Sequence, residues 1–291
     1  MREQETKLSL SSTDSVSEAK MNTWKIRDGF MDLTGLPIVM GILNVTPDSF
    51  SDGGDHNDLS SALKWTEKMV NEGAQIIDVG GESTRPGSVE ITADEEIERV
   101  APVIERIASE FDVKISVDTY RAATAEAALK AGANIINDVW GFRREPEIAK
   151  ITKRYEAGAV LMSNAFGHEY DDIIGFKNDC YEKSLKIAHD AGITDDQILL
   201  DPGVGFGTAR EDDIKLMRDL DNYDNILLGV SRKRIVDYLI GGNTQPKERT
   251  AGSVGLALAG AAKGVKILRV HDVKETLDAL KAFEKVMRED L

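Results

Sequence analysis

GILNVTPDSFSDGG, residues 41–54, changes character halfway along, and that change decides how the whole chain is read. Its first half, with residues 38–45 around it, is apolar and β-prone, as suits a strand buried on both faces. A polar run of Asn44, Thr46, Pro47, Asp48, Ser49, Ser51 and Asp52 follows, closed by Gly53 and Gly54. Pro47 and the glycines prevent continuation as strand or helix. A helical pattern then begins near Asn57. Buried strand, polar loop and helix in that order is how α/β enzymes present side chains to a substrate. Polarity alone would equally suit an ordinary surface turn. Recurrence of the arrangement separates the two.

Working outward, apolar runs at 38–45, 75–79, 114–117, 134–137, 159–162, 198–200, 226–230 and 266–270 read as strands. Helical patterns alternate with them at 59–71, 93–110, 122–131, 145–154, 172–191, 212–220 and 250–263, and the last covers 274–288. Strands that each lead into a helix, eight times over, predict a closed (β/α)8 TIM barrel as a single domain over residues 24–291. An open doubly wound sheet would want a Gly-rich phosphate turn after its first strand, and GxGxxG does not occur there. Residues 24–33 suggest a short hairpin ahead of the barrel. Thr92 followed by Glu95 fits a capping box. Gly73, Gly132 and Gly158 are read as the helix C-terminal glycines that turn the chain back into the barrel.

Bulk properties narrow the function. The chain has 291 residues, 41% hydrophobic and 30% charged, the profile of a globular protein with a large core. Its formal net charge of -15 argues against non-specific binding to nucleic acid or acidic membrane. Small anionic substrates stay open, because a few local cations can hold them. No apolar run approaches the roughly 18 residues that span a bilayer. One cysteine, Cys180, excludes an intramolecular disulfide or a cysteine metal cluster and fits the reducing cytoplasm. Residues 1–23, rich in Ser, Glu, Thr and Lys, read as a disordered extension without a signal-peptide core.

In a barrel of this class the active site lies at the C-terminal ends of the strands, so those ends are read together. In order they offer Asn44; Glu82, Ser83, Thr84 and Arg85; Asp118 and Thr119; Asn137 and Asp138; Met162, Ser163 and Asn164; the loop DPGVGFG from Asp201; Ser231, Arg232 and Lys233; and Arg269, His271 and Asp272. Singly, Asp118, Thr119, Asn137 or Asp138 could be no more than a helix cap. A complete ring of such residues points to a polar pocket. Arg85, Lys233, Arg269 and His271 supply cations suited to phosphate. Asp118, Asp201 and Asn137 can pair with a planar heterocycle bearing N–H and amino groups. Asn44 with Asp48 can hold Mg2+ together with substrate phosphates.

GILNVTPDSFSDGG, IIDVGGESTRPG, ISVDT, NIINDV, LLDPGVGFG, LLGVSRK and LRVHDV occur in this order, one per strand end, across residues 38–273. Together they resemble bacterial dihydropteroate synthase, a family that joins 6-hydroxymethyl-7,8-dihydropterin pyrophosphate to p-aminobenzoate. The resemblance implies catalytic roles for Asp118, Lys233, Arg269 and His271. It implies pterin binding by Asp118, Asn137, Met162, Asp201 and Lys233. It puts p-aminobenzoate, and the sulfonamides that compete with it in the family, against Phe50, Thr84, Arg85, Pro86, Phe206, Ser231 and Lys233. Pyrophosphate falls to Asn44, Arg85, Arg269 and His271, and Mg2+ to Asn44. The implied reaction is SN1-like, with loops 45–55 and 81–88 excluding water, in a cytoplasmic homodimer.

The chain departs from the family pattern around strands 5 and 6. Met162-Ser163-Asn164 stands where Met-His-Met is usual, Thr208 stands for a Lys after GFG, and Asp212-Asp213 replaces a His-Asn pair. Two alternatives accompany the resemblance. One is a catalytically weakened pterin-binding paralogue, which those departures motivate. The other is a methyltetrahydrofolate–corrinoid methyltransferase barrel, which would have no use for STRPG or for Arg269 with His271. Trp65, Leu63 and Met69 are read as core packing, His168 as a surface residue within reach of the site, and residues 251–264 as a small-residue stripe for close helix approach or a dimer face.

Overall fold

The computed structural model describes residues 22–46, 55–83 and 89–287. A short antiparallel hairpin, β1 (Thr23–Ile26) and β2 (Gly29–Asp32), precedes the barrel. Eight parallel strands follow, beginning with β3 (Ile38–Asn44), β4 (Ile76–Gly80), β5 (Lys114–Asp118) and β6 (Ile135–Asp138). They continue with β7 (Gly158–Met162), β8 (Ile198–Asp201), β9 (Leu227–Leu228) and β10 (Ile267–Val270). Pairing runs β8-β7-β6-β5-β4-β3-β10-β9. A single bridge from Leu200 to Ile226 brings β8 and β9 together and completes the ring. The sequence expects a seventh strand at 226–230; Leu227 and Leu228 form the strand, Ile226 adds only the bridge, and Gly229 and Val230 lie beyond the pairing.

The helices are α1 (Asp55–Asn71), α2 (Ala93–Glu110), α3 (Ala122–Ala131), α4 (Glu147–Arg154) and α5 (Ile173–Asp190). After them come α6 (Arg210–Arg218), α7 (Arg234–Leu239), α8 (Thr250–Ala262) and α9 (Val273–Met287). Thr92 and Glu95 do form the reciprocal capping box on α2. The sequence misses α7, whose six residues are too short for helical periodicity to register before Gly241 and Gly242 end it at positive φ.

Strand periodicity divides the core. Ile38, Met40, Ile76, Ile135, Val160, Leu199, Leu227 and Ile267 point into the barrel. Their neighbours Val39, Ile77, Ile136, Ala159, Ile198, Leu228 and Leu268 pack outward against helices. Trp24, Ile26 and Leu33 of the hairpin segment join the inner cluster and stopper the N-terminal end of the barrel. The Trp24 indole N–H donates to the Gln197 carbonyl at 2.9 Å, so the buried ring keeps its polar handle satisfied.

That stopper corrects the reading of Gly158. Gly73 and Gly132 take the left-handed backbone that ends a helix, at φ 102° and 119°. After α4 that conformation falls on Glu156 instead, and Gly158 is a strand residue. A Cβ there would come within 2.7 Å of Ile26 and 3.1 Å of Trp24, so the glycine makes room for the hairpin. Trp65 is also corrected. It lies 48% exposed with Lys68 Nζ 4.6 Å from its ring centroid, while Ala62, Thr66 and Met69 form the inward face of α1. Cys180 is buried. In α8, Gly252 and Gly260 serve close approach, to Val236 and Leu228 respectively. The reading of residues 1–23 as disordered falls on residues 1–21, outside the described residues, apart from Asn22 and Thr23, which begin the hairpin region.

Candidate active site

The alternation that puts Ile76 inside the barrel also puts Asp78 and Gly80 inside, one and two layers nearer the mouth. On neighbouring strands the register sets Gly80 between Asn44 and Asp118, and Asp118 beside Asn137. Met162 pairs in register with Asp201, and Arg269 pairs with Met40. The strand ends therefore bring Asn44, Asp118, Asn137, Met162, Asp201 and Arg269 to one face, with Ser231, Lys233 and His271 arriving on the two loops that follow. Phe50, Thr84, Arg85 and Pro86, together with Asp48, lie outside the described residues.

Charge is concentrated on Arg269. Its Nε donates to Asp78 Oδ2 at 2.5 Å and its Nη2 to Asp118 Oδ2 at 2.8 Å. Asn137 Nδ2 donates to the same Asp78 oxygen at 3.1 Å. The sequence reading overlooks Asp78, which is fully buried. A charged residue in the middle of the apolar run IIDVG, at an inward position, is the signal that could have found it. Burial pushes the Asp118 carboxyl up to about 7, opposed by Arg269 and reinforced by Asp78. Burial also raises Asp201, against Lys233 and the backbone N–H of Gly203, which donates to Asp201 Oδ1 at 2.8 Å. Lys233 is lowered to about 8 by burial, with Asp201 opposing.

Three carboxylates, Asp78, Asp118 and Asp201, thus face two cations, Arg269 and Lys233, and with all five ionised the pocket carries one formal negative charge in excess. It is also spacious where it needs to be. A Cβ at Gly80 would sit 3.6 Å from Asp118 and 3.7 Å from Asn44 Oδ1. One at Gly229 would sit 3.8 Å from both Asp201 Oδ2 and Arg269 Cβ. Both inward positions lack a side chain at the level of the charged groups. Tyr120, Val139 and Met162, with Trp140 and Phe206 against them, make the apolar wall.

Lys233 spans from the charged groups to this wall. Its Nζ donates to the Val204 carbonyl at 2.7 Å and lies 4.4 Å from the Phe206 ring centroid. The loop carrying Val204 and Phe206 is clamped. Gly203 and Gly207, at φ 72° and 77°, press against the backbone of Ser163 and of Ala165–Phe166, leaving no space for a methyl group. Ser163 N donates to the Asp201 carbonyl and Ala165 N to the Phe206 carbonyl. The buried Asp213 accepts from Gly205 N at 2.7 Å, from the Thr208 hydroxyl and from Arg210 Nη1 at 2.7 Å. Asn164 accepts from Phe166 N and donates to the Val139 carbonyl. Among the positions that depart from the family pattern, Thr208 and Asp213 therefore hold each other and the loop, and Ser163 backs the loop through its main chain.

Ser231 Oγ lies 3.1 Å from both the backbone N and the ring Nδ1 of His271. The backbone N–H donates to that oxygen, which ties the loop after β10 to the loop after β9. Arg232 is turned away and pairs with Asp272. Asp138 accepts from the backbone of Trp140 and Phe142 at 2.7 Å and serves as a turn cap, one of the two readings its position allowed. His168 is exposed, its ring 5.7 Å from that of Phe176 and 6.5 Å from that of Trp140.

Comparison with known proteins agrees with this geometry. A family model described as pterin binding enzyme matches residues 40–271. The chain is 43% identical over 259 residues to a dihydropteroate synthase of Clostridium beijerinckii, covering 86% of this chain and 94% of the other. Among solved structures it resembles the dihydropteroate synthase of Clostridium difficile in the presence of pteroic acid, with a TM-score of 0.84 and 43% identity over 89% of this chain and all of that one. It also resembles the Xanthomonas albilineans dihydropteroate synthase with 4-aminobenzoic acid, with a TM-score of 0.84, 39% identity, and 88% and 95% of the two chains covered.

Proposed function

The chain belongs to the dihydropteroate synthase family of pterin-binding enzymes, and we propose that it joins 6-hydroxymethyl-7,8-dihydropterin pyrophosphate to p-aminobenzoate, releasing pyrophosphate and forming 7,8-dihydropteroate for folate synthesis. The observation that carries this is the charge balance of the pocket: three carboxylates against two cations beside an apolar wall, a setting for a flat polar ring that becomes cationic.

Asp118, Asn137, Asp201 and Lys233 hold the pterin edge, with Met162 against its face. As the C–O bond to pyrophosphate breaks, the electron pair leaves with the phosphate oxygen and positive charge spreads over the pterin methylene and ring. The excess negative charge around Asp118 and Asp201 is already in position to meet it, without reorganisation at that moment. In this reading Arg269, near the end of β10, and His271, on the loop after it, meet the departing pyrophosphate. The p-aminobenzoate nitrogen, held near Phe206, Ser231 and Lys233, then forms the C–N bond and releases a proton. Thr84, Arg85, Pro86 and Phe50 complete that pocket in the proposal on the strength of the resemblance.

Mg2+ belongs to the same proposal. Among the described residues no group of three His, Cys, Asp or Glu side chains could hold a metal. A hard cation that takes one protein oxygen, with the rest from phosphates and water, fits the lone Asn44 amide oxygen. Bound there, Mg2+ would neutralise charge building on the pyrophosphate. The exposed run of Tyr238, Leu239 and Ile240 beside the small-residue helix α8 supports a homodimer, and the single cysteine supports the cytoplasm.

The test is chromatographic detection of dihydropteroate from both substrates with Mg2+. Product should form, cease with EDTA and return with added Mg2+. Absence of product under all conditions would overturn the assignment. Product made at full rate in EDTA would remove the metal from it.

A further inference from the structure

Asp78 lies below the groups expected to touch substrate, and its carboxylate is wholly buried. Burying a charge there is costly, and an apolar residue at an inward barrel position would ordinarily serve stability as well or better. Its contacts are unequal. Oδ2 accepts from both Arg269 Nε and Asn137 Nδ2, whereas Oδ1 has no hydrogen-bond partner among the described residues. One oxygen therefore joins a side chain of β10 to one of β6, across the three strands β3, β4 and β5.

An ionised carboxylate can only accept. That fixes the Asn137 amide: its NH2 group must face Asp78, and its carbonyl oxygen is directed elsewhere. A terminal amide is otherwise free to present either end. The same constraint applies to Arg269. With Nε committed to Asp78, the planar fork turns Nη2 onto Asp118, and the guanidinium cannot swing to pair with Asp201 instead.

We propose that Asp78 is a positioning residue for the reaction: by holding Arg269 and Asn137 on one oxygen, it dictates which donors and acceptors the pterin meets. The pterin then finds Asn137 as an acceptor for its N–H and amino groups, next to the acceptor Asp118. This rests on the assignment of the pocket to pterin given above, and it adds a specificity element that no substrate-contacting residue supplies.

Asp78→Asn keeps shape and one acceptor oxygen but adds a donor and removes the charge. The expected result is an unchanged far-ultraviolet circular dichroism spectrum, kcat lowered about ten- to a hundred-fold, and affinity for pteroic acid lowered about ten-fold, the scale of losing a charged hydrogen bond. KM for p-aminobenzoate should stay within about two-fold, a split that general loosening of the fold would not give. A folded Asp78→Asn protein with wild-type kcat and pteroic acid affinity would overturn the proposal, as would equal losses for both substrates.

A second measurement needs neither turnover nor the variant. In wild-type protein with 15N-labelled asparagine, the Asn137 side-chain amide protons should be protected from exchange, with and without pteroic acid. Exchange at the rate of a solvent-exposed amide would overturn the proposal. A wild type that is protected here yet makes no dihydropteroate would fault the assigned reaction and leave the Asp78 contact standing.

Discussion

Arg269 on β10 reaches Asp118 on β5 at 2.8 Å, although β3 and β4 lie between the two strands. A bond between non-adjacent strands is possible only because both residues point into a closed barrel. It ties the cation expected to assist the leaving group to the carboxylate expected to face the pterin.

Arg269→Lys preserves the charge but not the fork. A lysine presents a single ammonium and cannot reproduce the Nε and Nη2 contacts to Asp78 and Asp118 in their fixed geometry. We expect kcat to fall about a hundred-fold or more, with the melting temperature changed by only a few degrees, about the size expected for loss of one buried bond. Steady-state kinetics beside thermal unfolding checks both. Near-normal turnover would show that charge alone suffices.

The pH profile should be narrow. Asp118 at about 7 must be ionised and Lys233 at about 8 must be protonated, so kcat/KM should rise up to the first value and fall beyond the second. In Asp118→Asn the acid limb should vanish from the residual activity while the alkaline limb remains. The same groups bear on stability. The folded chain retains a proton on Asp118 that the unfolded chain releases near 3.8, so this group's contribution weakens as pH rises through 4 to 7. The depressed Lys233 acts oppositely. Its penalty is full below about 8 and is relieved as pH rises from 8 towards 10.5.

Glycines near the site should divide into two kinds. At Gly80 and Gly229 a methyl group would meet neighbours at 3.6 Å or more, an ordinary contact distance. Gly80→Ala and Gly229→Ala should fold normally yet bind pteroic acid about ten-fold or more weakly, because the methyl occupies space between charged groups. At Gly203 it would run into the Ser163 carbonyl, on a backbone at φ 72°. Gly203→Ala should lose about 3 kcal/mol or more in urea unfolding. Equal behaviour of the three variants would contradict the placement.

Asp213→Ala removes the acceptor for Gly205 N, Thr208 and Arg210 at once. The freed loop carries Phe206 and the carbonyl that holds Lys233. KM for p-aminobenzoate should rise about ten-fold, the scale of two lost hydrogen bonds. Asp213→Asn, which keeps one acceptor, should recover much of the loss. An unchanged KM in the alanine variant would show that the loop needs no such tether.

Much of the architecture is legible in the sequence because inward and outward residues alternate along each strand. The helix 93–110 and its cap are given by Thr92, Glu95 and an amphipathic run, all local signals. What escapes is non-local. Gly158 has the sequence appearance of Gly73 and Gly132, and only the hairpin ring of Trp24 explains it. Trp65 has a core residue's composition but faces out, because Ala62, Thr66 and Met69 set the helix face. Asp78 is hidden by the readable strand ends above it, since reading ends alone passes over a charge in mid-strand. The roles of Thr208 and Asp213 depend on a hydrogen bond between them that no spacing rule announces.

Pyrophosphate release from the pterin pyrophosphate, with Mg2+ and with or without p-aminobenzoate, is the most direct measure of the proposed reaction. Wild type should be compared with Arg269→Ala and Asp118→Asn. Release should depend on p-aminobenzoate in the wild type and fall at least a hundred-fold in both variants, as expected for loss of an electrostatic contact to the transition state. Pterin binding without release in the wild type, or release that both variants retain, would contradict it.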